Sequence, residues 1–412
     1  MGKIEIIREV NHLKSIKEEW DCLFQSNLCN TIFQSFNFYY YSYVNFHSND
    51  KLFIIILRDE ISNKILSILP LCIIKRTLQF INNIHADYSD ILIDKSYKNI
   101  NIFLSLEINL FKHIFLSDEF DSIRFHNLKE SSNLLKILYK IQYQIDNNSR
   151  WFSLYLFNKF HTHLSLTKTN NFPDNFDHLV NRQKRRLRRI LKKYNTDITI
   201  HSSSRFNNDI VLSSHNNICY SRDFPRKEIV NLRDHMIRES LRSKYFLCDK
   251  FVVLMESLFN SGDLFISSLK LVDTDETVAL SIMHKSFIES LESHSVKSYD
   301  ASNVEIKNLS YSFWIDLYKN QQMINIYHNT SIIKLLTNKE SIDFKKNDLS
   351  SKSDIINFDF GRGTYDYKMQ NFIPKIVQTQ NIYYFRSNFR KLLFNHFNHF
   401  NHILRLILKK NN

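Results

Sequence analysis

Apolar positions along the chain switch repeatedly between a period near 3.6 and a period of two, which predicts alternating helices and strands. Residues 3–10 read as a strand. Residues 12–25 then carry Leu13, Ile16, Trp20, Leu23 and Phe24 at helical spacing, and residues 31–46 form a second, aromatic-rich helix whose cluster at 38–41 reads as core. Two strands, 52–57 and 64–74, flank the charged turn Arg58-Asp59-Glu60; Pro70 ends the pairing of the second or sits at its edge. The polar knot Ala86-Asp87-Tyr88-Ser89-Asp90 precedes Ile91-Leu92-Ile93. Asp87 and Asp90 read there either as turn residues or as ligand-binding carboxylates. A helix over 101–115, a strand over 122–125, a helix over 132–145 and a closing strand over 151–157 complete a mixed α/β domain, residues 1–159.

Residues 160–175, polar and holding Pro173, read as a linker into a second domain, 160–386. That domain opens with a basic helix, 176–194, in which Arg182, Lys184, Arg185, Arg186, Arg188, Arg189, Lys192 and Lys193 surround the narrow stripe Leu179, Leu187, Ile190 and Leu191. Three readings stay open for it: a solvated face, phosphate contact with nucleic acid, or capture of a nucleotide-bearing cofactor. A strand over 196–202 and three helices over 206–259 follow. Strands over 264–271 and 277–283 then surround Asp273-Thr274-Asp275-Glu276, an echo of the first hairpin that predicts two copies of one unit. The meander continues over 288–297, short helices are expected at 310–318 and 331–336, and 338–354 reads as loop. A strand-like segment, 376–385, precedes a basic amphipathic tail, 387–412. Its apolar positions Phe389, Leu392, Leu393, Phe397, Phe400, Leu404 and Ile407 suit docking on the body or on a membrane surface.

One stretch concentrates the chemistry. The chain has four glycines, and Gly361 and Gly363 fall within three residues, after the bulky strand residues Ile355, Ile356, Phe358 and Phe360 with Asp359 among them. Glycine at that spacing predicts a sharp turn or the close approach of a ligand to the backbone. Tyr367 and Lys368 follow at once.

Composition sets the bounds. Hydrophobic residues are 43% and aromatics 14%, so the 412 residues fold and suffice for two cores. The net charge of +13 suits an anionic partner such as nucleic acid, a phosphorylated cofactor or a membrane surface. Five cysteines (Cys22, Cys29, Cys72, Cys219, Cys248) without a C-x-x-C pair suit a reducing, cytoplasmic setting. The N-terminus lacks an apolar signal core, Ile6 breaks a myristoylation motif, and no uncharged run reaches the ~20 residues of a membrane span. His396, His399 and His402 read as low complexity, and no metal is expected. No Walker, dinucleotide-binding, H-E-x-x-H or G-x-S-x-G motif occurs, which removes the nucleotide hydrolase, dehydrogenase and serine hydrolase classes.

The ordered segments resemble the GNAT-superfamily acetyltransferases of the cellulose-biosynthesis type, relatives of the Fem peptidyltransferases. The residues that carry the likeness are Trp20-Asp21-Cys22-Leu23, Phe33-Gln34-Ser35, Pro70-Leu71, Asp87-Tyr88-Ser89-Asp90, the basic run 182–193, and Asp359-Phe360-Gly361-Arg362-Gly363-Thr364-Tyr365-Asp366-Tyr367-Lys368. The resemblance implies an α/β (α+β) fold of two tandem GNAT-like units, each a mixed, mostly antiparallel sheet flanked by helices. It implies transfer of an acyl group from a thioester, acetyl-CoA or another acyl-CoA, to an amine or hydroxyl of a sugar or polysaccharide precursor. Asp359, Tyr367 and Lys368 are then the catalytic candidates: base or acceptor-orienting group, proton donor to the thiolate, and anion holder. Gly361, Gly363, Arg186 and Arg189 are the cofactor-binding candidates. Around 302–311 there is no glycine where ordinary members carry Arg/Gln-x-x-Gly-x-Gly/Ala, so acyl carrier protein and aminoacyl-tRNA stay open as donors. The alternatives are a Fem-like peptidyltransferase using aminoacyl-tRNA and a non-catalytic protein that binds nucleic acid or a membrane surface.

Overall fold

The computed structural model describes residues 2–26, 31–81, 85–94, 111, 114–148, 151–167, 185, 196–203, 218–238, 243–245, 247–273, 277–289, 302–309, 355–362 and 375–395. The chain divides into two compact units: Met1–Asn27, His47–Lys159 and Gln378–Asn412 form unit 1, and Leu28–Phe46 with Phe160–Val377 form unit 2.

In unit 1, β1 (Gly2–Ile7), β2 (Lys51–Asp59), β3 (Ile65–Ile74) and β4 (Thr77–Phe80) run antiparallel in that order. β6 (Ser122–Lys129) then lies parallel to β4, β14 (Lys375–Phe385) pairs antiparallel with β6, and the two-residue β5 (Leu92–Ile93) adds to β3. The predicted first helix is two, α1 (Val10–Ser15) and α2 (Lys17–Ser26); α2 packs on β3 with Trp20 fully buried. Helix α4 (Asn133–Asn148) follows β6 and sends Leu134, Leu135, Ile137, Leu138 and Ile141 into a core rich in phenyl rings. There Phe115 lies edge-on to Trp151 (5.6 Å) and to Tyr384 (5.1 Å). The Trp151 indole, buried with them, donates to the Phe115 carbonyl at 2.8 Å. Each such ring contributes about 1.5–3 kcal/mol by leaving water.

Pro70 does not end β3. It stands opposite Ile54 in mid-strand, while β4 pairs only 71–74 and β5 only 67–68, so no neighbour on that side needs its missing N–H. The β3–β4 connection is a two-residue turn with Lys75 (φ 46°) and Arg76 (φ 62°) both left-handed, the type I′ geometry usually filled by Asn-Gly. Arg76 holds the strained position through Asp121, with Nε and Nη2 at 2.7 and 2.8 Å, and the Asp121 N–H returns to the Arg76 carbonyl.

Unit 2 repeats the order. β8 (Thr196–Ser202) pairs antiparallel with β10 (Phe265–Leu271), β10 with β11 (Thr277–Glu289), and β11 with β12 (Ser302–Leu309). β13 (Ile355–Arg362) then lies parallel to β12, and residues 161–167 of β7 (Phe152–Thr167) pair antiparallel with β13. β9 (Ile218–Ser221) extends the far edge beside β8. The stretch read as three helices thus contains a strand, then α5 (Arg226–Arg238) and α6 (Asp249–Asn260). The linker expected at 160–175 is strand as far as Thr167, since alternating Phe160, Thr162, Leu164 and Leu166 suit a sheet as well as a tether. The mixed, mostly antiparallel sheets flanked by helices match the fold class predicted above.

Segment 31–46 belongs to unit 2. Gln34 Oε1 accepts the Thr31 N–H at 3.0 Å and Ser35 Oγ accepts the Phe38 N–H at 3.2 Å, so Phe33-Gln34-Ser35 starts helix α3 (Phe36–Phe46). α3 packs on α6, whose end closes as a Schellman motif: Asp263 N–H to Leu258 O (2.9 Å) and Gly262 N–H to Phe259 O (3.0 Å), with Gly262 at φ 84°. Asn37 Nδ2 reaches the same turn at Asp263, 2.7 Å away. Gly262→Ala should therefore lower unfolding stability by about 1–2 kcal/mol, and Gly262→Asn by less, in urea melts followed by circular dichroism.

Candidate active site

β13 lies between a parallel neighbour, β12, and an antiparallel one, β7. Its parallel ladder with β12 runs from Val304 opposite Ile356 to Lys307 opposite Asp359 and stops, although β12 continues to Leu309 and β13 to Arg362. Towards β7, Asp359 stands opposite His163 and Arg362 opposite His161, so three steps along β13 match two along β7. The extra residue is a β-bulge, and Gly361 lies in it. A bulge beside a parted parallel pair leaves main-chain N–H groups without ladder partners, and a residue without Cβ lets a ligand reach them. Such donors are what a thioester carbonyl needs as charge gathers on its oxygen.

Asp359 is thus the last paired position of the parallel ladder. Gly361 is a strand residue in a bulge and the sheet continues through it to Arg362, so of the two readings of the glycine spacing the sharp turn does not fall at Gly361. Gly363, Tyr367, Lys368, Arg186 and Arg189 lie outside the described residues, as do the expected helices at 310–318 and 331–336. Of the basic run, Arg185 is described: it is helical and exposed.

Unit 1 carries the same device. β4 pairs with β6 from Thr77 opposite Ser122 to Gln79 opposite Arg124, and beyond it β6 bulges: Phe125 faces Ile382 and Leu128 faces Gln380 on β14. Asn127, in the bulge, has φ 58°. Aligned on the bulge, Phe125-His126-Asn127-Leu128 matches Asp359-Phe360-Gly361-Arg362. Asn127 takes the place of Gly361, and a wholly buried phenyl ring stands where unit 2 has its carboxylate. The echo between the hairpins pointed to a repeat. Carried on to the later strand, it sets Asn against Gly, the two residues that most readily accept unusual backbone.

In unit 1 the chain itself fills the space beside the bulge. The Ser89 N–H reaches the Asn127 carbonyl (3.2 Å), Asn127 Nδ2 reaches the Ala86 carbonyl (2.8 Å), and Lys129 Nζ lies 3.9 Å from the Tyr88 ring centre. The buried Asp90 carboxylate accepts the N–H groups of Ile91 (2.9 Å), Asn133 (3.0 Å) and Leu134 (2.8 Å) and the Ser132 hydroxyl (2.7 Å). Burial pushes its pKa above the ordinary carboxylate value, against the pull of these four donors. Of the two readings open for Asp90, the structure shows the structural one: it caps the first turn of α4 from a distant loop.

A buried His–Ser pair in unit 2 has no counterpart in the motifs read from the sequence. His201 Nδ1 lies 3.1 Å from the Asp223 carbonyl, which only accepts, so Nδ1 carries the proton and Nε2 accepts from Ser268 Oγ at 3.1 Å. Ser268 is wholly buried, so this pair holds β8 to β10 and serves no external substrate. Among the described residues, no His, Cys, Asp or Glu side chains gather in a group of three or more as a metal ion would require.

No family model and no curated protein matches the chain. Among solved structures it is similar to the L-PGS of Bacillus licheniformis, with a TM-score of 0.48 and 9% identity over 91% of this chain and 92% of that one. It is similar to a tandem GNAT protein from the clavulanic acid biosynthesis pathway, with a TM-score of 0.45 and 7% identity over 93% and 98%. It is also similar to the Saccharomyces cerevisiae N-myristoyltransferase with bound myristoyl-CoA, with a TM-score of 0.40 and 9% identity over 93% and 82%. All three scores lie below 0.5.

Two outcomes follow for the buried groups. Asp90→Ala should destabilise unit 1 by about 3 kcal/mol, and Asp90→Asn by roughly half, in urea unfolding read by the unit 1 fluorophores Trp20 and Trp151. Burial holds the His201 pKa below its ordinary value of 6.5, so protonation favours the unfolded chain. The stability it contributes is complete above pH 6.5 and is lost as pH falls towards the depressed folded value; His201→Gln should flatten that part of the stability–pH curve.

Proposed function

We propose that the chain is an acyltransferase of the GNAT type and that unit 2 carries the reaction. The observation that supports this reading is the end of the β12–β13 ladder at Lys307 and Asp359, with the Gly361 bulge next to it. Unit 1 has the same strand order, but its chain closes the equivalent place with residues 86–91, which leaves unit 2 to the substrates.

In this reading the carbonyl oxygen of an acyl thioester, acetyl-CoA or another acyl-CoA, is held by main-chain N–H groups freed at the bulge. An amine or hydroxyl of a sugar or polysaccharide precursor attacks the carbonyl carbon and gives its proton to Asp359. The new C–N or C–O bond forms, the C–S bond breaks, and Tyr367 protonates the departing thiolate. Lys368 holds an anionic group of either substrate, Gly361 and Gly363 permit the close approach, and Arg186 and Arg189 bind the phosphates of the donor. No metal takes part. The location that suits such an acceptor is cytoplasmic, at the membrane periphery. The net charge of +13 and the exposed Arg185 favour a second reading in which the donor is aminoacyl-tRNA.

A thermal-shift screen against acyl-CoAs, acyl carrier protein and charged tRNA separates the donors, with stabilisation by an acyl-CoA expected. With the donor found, Asp359→Asn should lower transfer by about 100- to 1,000-fold while the thermal shift persists. Undiminished transfer by that variant would remove Asp359 from the chemistry, and the absence of any shift would remove the transferase reading.

A further inference from the structure

The C-terminal helix, α7 over 388–395, is attached to unit 1 along one side only. Phe394 rests on Tyr383 (ring centres 4.7 Å apart) and on Phe385 (5.3 Å), with the Arg124 guanidinium 5.7 Å from its ring centre. Arg390 pairs with Asp121 at 2.8 Å, and Arg386, just ahead of the helix, pairs with Asp118 at 2.6 Å. Phe389, Leu392 and Leu393 stand at i, i+3 and i+4, which places them on one face, and they are 69%, 49% and 53% exposed. Three large apolar side chains left in water on so short a helical segment are a standing cost that docking would relieve.

The chemistry around this face selects the occupant. From Arg386 onward, the sequence holds six cations (Arg386, Arg390, Lys391, Arg405, Lys409, Lys410) and no Asp or Glu; of these Arg386 and Arg390 pair with Asp118 and Asp121. The excess of positive charge in this segment disfavours a second copy of it as the occupant. A surface that takes apolar side chains and bears negative charge meets both features, and an anionic lipid bilayer is such a surface. No helix among the described residues is long and apolar enough to cross a membrane.

We propose that the Phe389–Leu392–Leu393 face binds the surface of an anionic lipid bilayer, with Lys391 beside it against the headgroups. This is independent of the acyl-transfer reading, since it concerns where the protein sits and not what it does.

The test uses the full chain and sedimented vesicles of two compositions, phosphatidylcholine alone and phosphatidylcholine with an equal part of phosphatidylglycerol. Binding is expected on the mixed vesicles, weaker on the neutral ones, and weaker again as salt rises. The triple variant Phe389→Ser, Leu392→Ser, Leu393→Ser should lose binding by about tenfold or more while its Trp fluorescence unfolding curve stays that of the wild type. Equal sedimentation of the variant and the wild type would overturn the proposal, as would failure of the wild type to bind mixed vesicles. Light scattering supplies a third arm: a wild-type dimer that the triple variant abolishes, without vesicle binding, would assign the face to self-association and overturn the lipid assignment.

Discussion

Two strands that run the same way cannot be joined by a tight turn, and this constraint shapes each half of the molecule. Hairpins carry the chain through β2, β3 and β4 and through β10, β11 and β12, but placing β6 beside β4, or β13 beside β12, needs a long crossover. The crossovers span 81–121 and 310–354. Because the crossover leaves from one end of the pair and returns to the other, the two strands are free to part where the ladder ends. In both units the ladder ends before the later strand does, and in both the later strand bulges within three residues of that point. The candidate site is therefore a consequence of topology before it is a matter of particular side chains.

The two units then use this place differently, and Asp90 shows how. A parted pair exposes main-chain donors, and the first turn of the following helix exposes more. In unit 1 one carboxylate answers the helix, Asn381 Oδ1 of β14 takes the bulge N–H of Asn127, and residues 86–89 bond the Asn127 carbonyl and side chain. A main-chain donor engaged in this way cannot also hold an oxyanion.

The sequence revealed most where burial is one-sided and least where backbone geometry or a distant partner decides. The hairpins, α2 with Trp20, and β10 with its hydrophobic run were legible because apolar period and turn chemistry agree. β4 was not: its turn is Lys75-Arg76, residues with no preference for left-handed backbone, and the ion pair that holds Arg76 comes from Asp121, 45 positions away. β12 was missed because Ser302-Asn303-Val304-Glu305-Ile306-Lys307 alternates weakly, and its glycine-free stretch was weighed only as a departure from a phosphate loop. Gly361 was rightly seen as a backbone device. A bulge and a turn want the same residue, however, and only the β7 partner distinguishes them. For the candidate site, legibility stops at Asp359 and Gly361, the two positions that a strand with two neighbours fixes.

The last strand of unit 1 and the first segment of unit 2 show a further economy of the chain order. β6 acquires its antiparallel neighbour from β14, where Asn381 Oδ1 accepts the Asn127 N–H across 254 positions of sequence. Ile382 and Tyr384 of that strand sit fully buried in the phenyl-rich core. Unit 2 in turn uses segment 31–46 from near the start and the end of β7. Closing loops of that length costs conformational entropy early in folding, and the burial that offsets it comes only afterwards. The arginine–carboxylate clasp at 118–121 fits this need. Asp121 binds Arg76 and Arg390, Asp118 binds Arg386, and Glu119 binds Arg8. Its cationic partners hold the Asp121 and Glu119 carboxyls below their usual range. Segments far apart in sequence thus meet at one short acidic loop. A set of ion pairs there adds little to the stability of a finished surface, but it ties the chain just past the end of β14 to the loop that leads into β6.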